Sequence, residues 1–238
     1  IDPRPYSKNG DTGYKMRYPI PRPDQIKTEL IPSTLPAVLE GEDEDKVMEC
    51  HDYLMDNYSI LNPPSSWTKK IVKELLIGYW PEKECFTFPH CNKNSEPFNI
   101  KCHKSKKGDT PHSITGHGQC VLYPLDLIQH YDFSKPILFA EGEKDTATLL
   151  SNGYQAVSSS TGALSLPKDL TSIADATMIR FVYDNDKGGR SGSIKRAQEL
   201  KQRFSEMRIG VCHWSEGYPE RYDVTDHLTA SDENDLEE

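Results

Sequence analysis

Two acid-rich runs stand out for the chemistry they could do together. Glu141-Gly142-Glu143-Lys144-Asp145 follows directly on the apolar run Pro136–Ala140, and Asp184-Asn185-Asp186-Lys187-Gly188-Gly189-Arg190 follows directly on Met178–Tyr183. Carboxylates gathered in one place repel one another and stabilise little by themselves. A hard divalent cation removes the conflict, because Mg2+ takes carboxylate oxygens together with water and substrate phosphates. Asp184 and Asp186 are two apart and would point to opposite sides of a strand, but at a strand-to-loop transition they can converge. Gly142, Gly188 and Gly189 are expected to let backbone approach closely. Taken singly, Asp145 and Asp186 fit equally well as helix caps; two such motifs in matching positions argue for more than capping.

The elements that must carry these runs can be read from hydrophobic periodicity. Pro136–Ala140, Gln155–Ser158, Met178–Tyr183 and Ile209–His213 are strand candidates. Asp145–Ser151 and Ser191–Phe204 are helix candidates, the latter with Ile194, Ala197, Leu200 and Phe204 on one face. Strands alternating with helices predict an α/β fold with a central, mainly parallel sheet flanked by helices. Ligands then gather at the carboxyl ends of the strands, where both acidic runs fall. Thr161-Gly162, after the second strand, is expected to approach the same place.

Upstream the pattern differs. Asp43–Asn57 is a helix candidate whose early acids suit a helix N-terminus. Ser65 or Ser66 can cap a second helix near Trp67–Leu76 that ends at Gly78. Short strands are expected at Cys85–Phe88, Phe98–Cys102 and Val121–Tyr123, giving a small, basic α+β subdomain over 39–135. Residues 1–38 read as an extended arm, rich in Pro, Tyr and basic residues, and 231–238 as an acidic tail or linker. The strand–helix part that carries the two acidic runs spans 136–230.

The chain has 238 residues, with 28 Lys+Arg against 37 Asp+Glu and a formal charge of −9. That charge is uneven. Residues 40–56 hold eight acids and one Lys, and residues 219–238 hold eight acids and one Arg, whereas Trp67–Lys107 carries nine Lys against four Glu. Phosphates respond to such local patches, so an acidic total does not exclude nucleic acid. No run of about 18 apolar residues exists, which excludes a membrane-spanning helix, and the polar opening Ile1–Asn9 predicts no secretory leader. The six cysteines at 50, 85, 91, 102, 120 and 212 form no CxxC pair. They read as free thiols in a reducing, intracellular setting, such as cytoplasm, nucleoid or organellar matrix, rather than zinc ligands.

EGEKD after one strand and DNDKGG after another resembles the TOPRIM domain shared by DnaG-type primases, topoisomerases, OLD-type nucleases and RecR-type proteins. The resemblance implies that Glu141, Asp184 and Asp186 are catalytic metal ligands, with Asp145 a supporting acid and Mg2+ or Mn2+ the cofactor. Tyr222-Asp223-Val224-Thr225-Asp226-His227-Leu228 resembles the acidic segment that closes primase TOPRIM domains. Residues 47–135 resemble the N-terminal subdomain of the primase core of phage and organellar primase–helicases. The features are LLIGYW, read as a turn, CFTFPHC, the basic FNIKCHKSKKG and TPHSITGHGQCVLYPLDLI. By that likeness Lys101 and Lys104 would hold template backbone or triphosphate, and Lys144 and Lys187 would offset phosphate charge. His112 stands where the family usually has Lys.

The activity so implied is primer synthesis from NTPs on single-stranded DNA by two-metal nucleotidyl transfer, with a replicative helicase as partner in cis or in trans. A TOPRIM-type nuclease and a catalytically silent strand-binding module that recruits a helicase are the competing readings. A topoisomerase lacks room for its strand-breaking tyrosine domain. No GxxxxGK[ST] phosphate loop occurs, so no ATP-driven motor is expected within these residues.

Overall fold

A computed structural model describes residues 37–104, 111–114 and 118–230. Residues 1–36 of the expected arm, the tail at 231–238 and Lys106 and Lys107 lie outside those residues. Two sheets organise the chain. The first is antiparallel, ordered β1 (Gly78–Trp80), β2 (Cys85–Cys91), β3 (Pro97–Lys104) and β4 (His112–Ser113). The second is ordered β5 (Leu122–Tyr123), β7 (Gln155–Ser159), β6 (Ile137–Ala140), β8 (Met178–Val182) and β9 (Arg208–Val211). In it β7, β6, β8 and β9 run parallel, and β5 pairs antiparallel on the edge, so the sheet reaches back across the expected division at 135/136.

The second sheet is covered on both faces, which is why β6 is apolar throughout rather than alternating. Side-chain parity divides its core. Ile137, Phe139, Ile179 and Phe181 pack on one face with Ala197 and Leu200 of α5 (Lys187–Arg203), and the Phe139 and Phe181 rings stack at 4.9 Å. Leu138, Ala140 and Val182 face the other way, against Leu149 of α4 (Glu143–Ser151) and Val224 and Leu228 of α6 (Val224–Ala230). The mainly parallel α/β architecture expected from the sequence is therefore present.

The first sheet packs against α1 (Glu42–Asp56), while the short helices α2 (Tyr58–Leu61) and α3 (Lys69–Glu74) complete this part. Trp67 lies edge-on to both Phe86 and Phe88, and Ala147 of α4 joins the same core, so the two sheets share apolar contacts.

Several boundaries differ from the sequence reading for local reasons. LLIGYW turns at Leu75-Leu76, with Leu76 at φ +49°, and then runs on as β1: its Gly78 opens the strand where a Cβ would lie 2.5 Å from the Cys50 backbone, so only glycine lets this strand cross α1. α3 is capped by Thr68, whose hydroxyl accepts from Ile71 N at 3.3 Å, not by Ser65 or Ser66. β2 continues through Pro89 because Pro89 lies beyond the end of β1, where β2 has a neighbour only in β3. α5 starts at Lys187, four residues early, because Asp186 caps it: its carboxylate accepts from Gly189 N at 2.7 Å.

Candidate functional site

The two acidic runs meet at the carboxyl ends of the adjacent strands β6 and β8. Glu141 leaves β6 and accepts from Asp184 N at 3.3 Å. Asp145, one turn into α4, is buried and accepts from the Thr225 hydroxyl at 2.7 Å. That hydroxyl belongs to a chain of contacts across the core, since Thr225 Oγ1 lies 3.0 Å from Thr148 Oγ1, which in turn accepts from Trp67 Nε1 at 3.0 Å. Asp223, part of the closing acidic segment but not among the expected ligands, is buried beside them. It caps α6, accepting from Asp226 N at 2.7 Å.

Electrostatics shows how closely the acids are coupled. Burial pushes the Asp184 carboxyl up to about 9, and the charges of Asp145, Glu141, Asp223 and Asp186 push the same way. Asp145 is pushed up to about 7 by burial and by Asp223, against the opposing pull of Lys144 and the Thr225 hydroxyl. Glu141 is raised by burial, with Asp186 and Asp223 adding to it. Among the described residues no three Asp, Glu, His or Cys side chains form a ready-made metal shell. Mg2+ does not require one, because it keeps several waters and binds through one or two carboxylates plus substrate phosphate. All-oxygen donors that raise one another's pKa fit such a cation.

A pH test follows. A carboxyl raised on folding holds its proton more tightly in the folded state, so its contribution to stability is full below its ordinary pKa. That contribution drains away as pH rises toward about 7 for Asp145 and about 9 for Asp184. Millimolar Mg2+ is therefore expected to raise the melting temperature more at about pH 8 than at about pH 6, where protons already relieve the repulsion. A thermal-shift titration showing no Mg2+ effect, or one equal at both pH values, would reject coupling between these acids and a cation.

Glycines shape the turns around the acids. A Cβ on Gly189 would lie 2.2 Å from the Asp184 carbonyl oxygen, so the first turn of α5 can pack on the Asp184 backbone only with glycine there. Gly162, at φ +62°, sits with its Cβ direction 3.5 Å from the Glu141 carbonyl oxygen, which places the Thr161-Gly162 turn beside the acids. Gly142 has open space around it and makes no such close approach.

The basic residues divide. Lys101 points into the protein: its ammonium donates to both oxygens of Glu143 at 2.9 Å and to Ser160 O at 2.6 Å. Those three bonds use its three donors. Glu143, fully buried, also accepts from His90 Nε2 at 3.1 Å and His103 Nε2 at 3.0 Å. Burial alone would raise the Glu143 carboxyl, but the Lys101 charge and the two histidines hold it well below the usual range. Burial lowers His103. This cluster joins β2 and β3 to the first turn of α4, between Glu141 and Asp145. The sequence reading assigned no role to Glu143, His90 or His103. Lys104 is exposed at the end of β3, His112 is exposed on β4 and Lys187 is exposed at the start of α5. Lys144 reaches 4.0 Å from Asp223 with its side chain 42 % accessible. The six cysteines are all free, and Cys50, Cys85, Cys91 and Cys102 are buried.

The architecture that holds these acids is the fold of primase catalytic cores. The zinc-binding and RNA polymerase domains of the Aquifex aeolicus primase superpose with a TM-score of 0.57 at 14 % identity, covering 77 % of this chain and 56 % of that one. A DnaG primase catalytic domain bound to single-stranded DNA matches with a TM-score of 0.59 at 15 % identity, covering 77 % and 74 %. The primase fragment of the bacteriophage T7 primase–helicase matches with a TM-score of 0.50 at 18 % identity, covering 68 % and 65 %. The chain thus spans little more than half of the Aquifex fragment. No protein-family model and no curated sequence matches it.

Proposed function

We propose that this chain is the nucleotidyl-transfer core of a primase, with a TOPRIM domain over 136–230 that extends primers from NTPs on single-stranded DNA. The observation that carries the reading is the coupled set Glu141, Asp145, Asp184 and Asp223 at the ends of β6 and β8, with Asp184 raised to about 9. Glu141, Asp184 and Asp186 are the proposed ligands, supported by Asp145. Bound there, a pair of Mg2+ or Mn2+ ions supplies neutralisation of triphosphate charge and lowers the pKa of a 3′-hydroxyl.

The protein's own part is placement. The Glu141 carboxylate is fixed by Asp184 N, and Asp145 by Thr225, so the acids are oriented before substrate arrives. Lys144 and Lys187 stand at the rim to offset phosphate charge. Lys104 and His112, exposed on the face of the first sheet opposite Lys101, are the candidates to hold template backbone away from the acids, so binding weakens steeply as salt rises. The strand-bound DnaG domain and the T7 primase–helicase fragment support a single-stranded template and a helicase partner.

The test is synthesis on single-stranded DNA with labelled NTPs and Mg2+ or Mn2+, with and without chelator. Short, chelator-sensitive products are expected. Degradation of the template instead would replace primase by nuclease. Salt-sensitive binding without either product would leave a recruiting module.

A further inference from the structure

Between β9 and α6 the chain builds an aromatic cluster with no assigned role. Tyr218 stacks on Tyr222 with ring centroids 4.5 Å apart, and Trp214 meets both edge-on at 5.7 and 5.1 Å. His227 of α6 lies 6.0 Å from each tyrosine ring. Trp214 is the inner member: it packs against the core of α4 and α6, and its Nε1 donates to Tyr183 O at 2.8 Å. Tyr218 is the outer member, 38 % exposed. The end of the stack is left in water.

The stack is tied to the acids by the residue between them. Asn185 Nδ2 donates to Tyr218 O at 3.1 Å and Pro219 O at 3.0 Å. Asn185 N donates to Tyr222 O at 2.8 Å, and Asn185 O accepts from Arg221 N at 3.0 Å. Its remaining oxygen accepts from Arg190 Nη1 at 2.9 Å. Asn185 thus spends its backbone and its whole side-chain amide on holding the aromatic segment in register with Asp184 and Asp186. At the other end Tyr222 is followed directly by Asp223 of the acidic set.

From this we infer that Tyr218, backed by Tyr222 and Trp214, is a stacking platform for a nucleobase whose phosphates lie at the acidic cluster. The inference rests on the nucleotidyl-transfer reading and adds to it a base-recognition subsite. A base of any identity offers a π-face, so the platform gives affinity without sequence preference. An apolar side chain from a partner protein would gain nothing from the neighbouring carboxylates, whereas a nucleotide with its cation uses both halves of the site. The incoming nucleoside triphosphate is the committed occupant, and a strand base is the other source of the same chemistry.

Isothermal titration of the full chain in Mg2+ with ATP, inorganic tripolyphosphate and a short oligothymidylate tests this on wild type, Tyr218→Ala and Tyr218→Phe. ATP is expected to bind on the order of tenfold more tightly than tripolyphosphate. Tyr218→Ala should remove that advantage, Tyr218→Phe should keep it, and tripolyphosphate binding should not change in either. Equal affinity of ATP and tripolyphosphate, or an unchanged ATP affinity in Tyr218→Ala, would overturn the platform while leaving the acidic site standing. A Tyr218→Ala defect confined to the oligonucleotide would overturn the committed occupant in favour of a strand base. Failure of tripolyphosphate to bind at all would remove the phosphate site, and the platform with it.

Discussion

Asp184→Asn is expected to give a folded protein that still binds single-stranded DNA but makes no primers. Asparagine keeps the shape of the side chain and the backbone that Gly189 packs against, so the fold has no reason to change. What it removes is the carboxyl whose ionisation the cluster opposes most strongly, raised to about 9 by burial and four neighbouring carboxylates, which a cation would have to ionise. Stabilisation by a bound cation is worth several kcal/mol of transition-state energy, so synthesis should fall by about a hundred- to a thousandfold. Template binding, resting on lysines away from the cluster, should change by less than about threefold. The same substitution relieves repulsion, so without metal at about pH 8 the variant should melt above wild type and lose most of its response to Mg2+. Primer synthesis at the wild-type rate would dismiss Asp184 as a ligand; a variant that melts lower without metal would contradict the repulsion argument.

The second large effect is on stability. Glu143→Ala strands the Lys101 ammonium in the interior, where its remaining partner is a single carbonyl, Ser160 O. Breaking a buried pair from one side costs about 3–5 kcal/mol, and that loss is expected in urea unfolding. Replacing both partners, as Lys101→Met with Glu143→Leu, removes both charges and should recover a large part of the loss. His103 and Glu143 are both held below their ordinary pKa values, so the stability they provide is present at neutral pH. For His103 it declines as pH falls below about 6.5, and for Glu143 below about 4.5. Glu143→Ala should remove the part below about 4.5 but keep the part below about 6.5, because Glu143 pulls His103 up against burial. A single-variant loss under about 1 kcal/mol would mean that the cluster is solvated rather than sealed.

The second sheet was largely legible because its signal is local. PILFA and MIRFVY are short apolar runs, and the acids follow each without a gap, so strand ends and candidate ligands come from the same residues. Asp223 was harder to see, because it reaches the cluster only when α6 folds back, and Val224 and Leu228 alone are too few apolar positions to announce a helix among acids. Lys101 and Lys104 illustrate a different limit. They are three apart on β3, so strand parity alone puts them on opposite faces, and they cannot both look toward the acids. That Lys101 is the inward one depends on Glu143, a partner at a sequence separation of 42 that no periodicity reveals. The histidines of HCNK and KCHK look like zinc ligands beside cysteines, yet alternation turns each His away from its neighbouring Cys and onto the same carboxylate.

The buried Lys101–Glu143 pair also bears on how the chain is made. β2 and β3 leave the ribosome with Lys101, His90 and His103 directed at a surface that does not yet exist, since Glu143 is translated 42 residues after Lys101. At about 5–20 residues per second that interval is roughly 2–8 s. A first sheet formed in that interval would carry an unmatched cation on the face it must later bury, and such a charge disfavours closing that face on a wrong apolar surface. The arrival of α4 then supplies the counter-charge and the apolar contact of Ala147 together, from one and the same element.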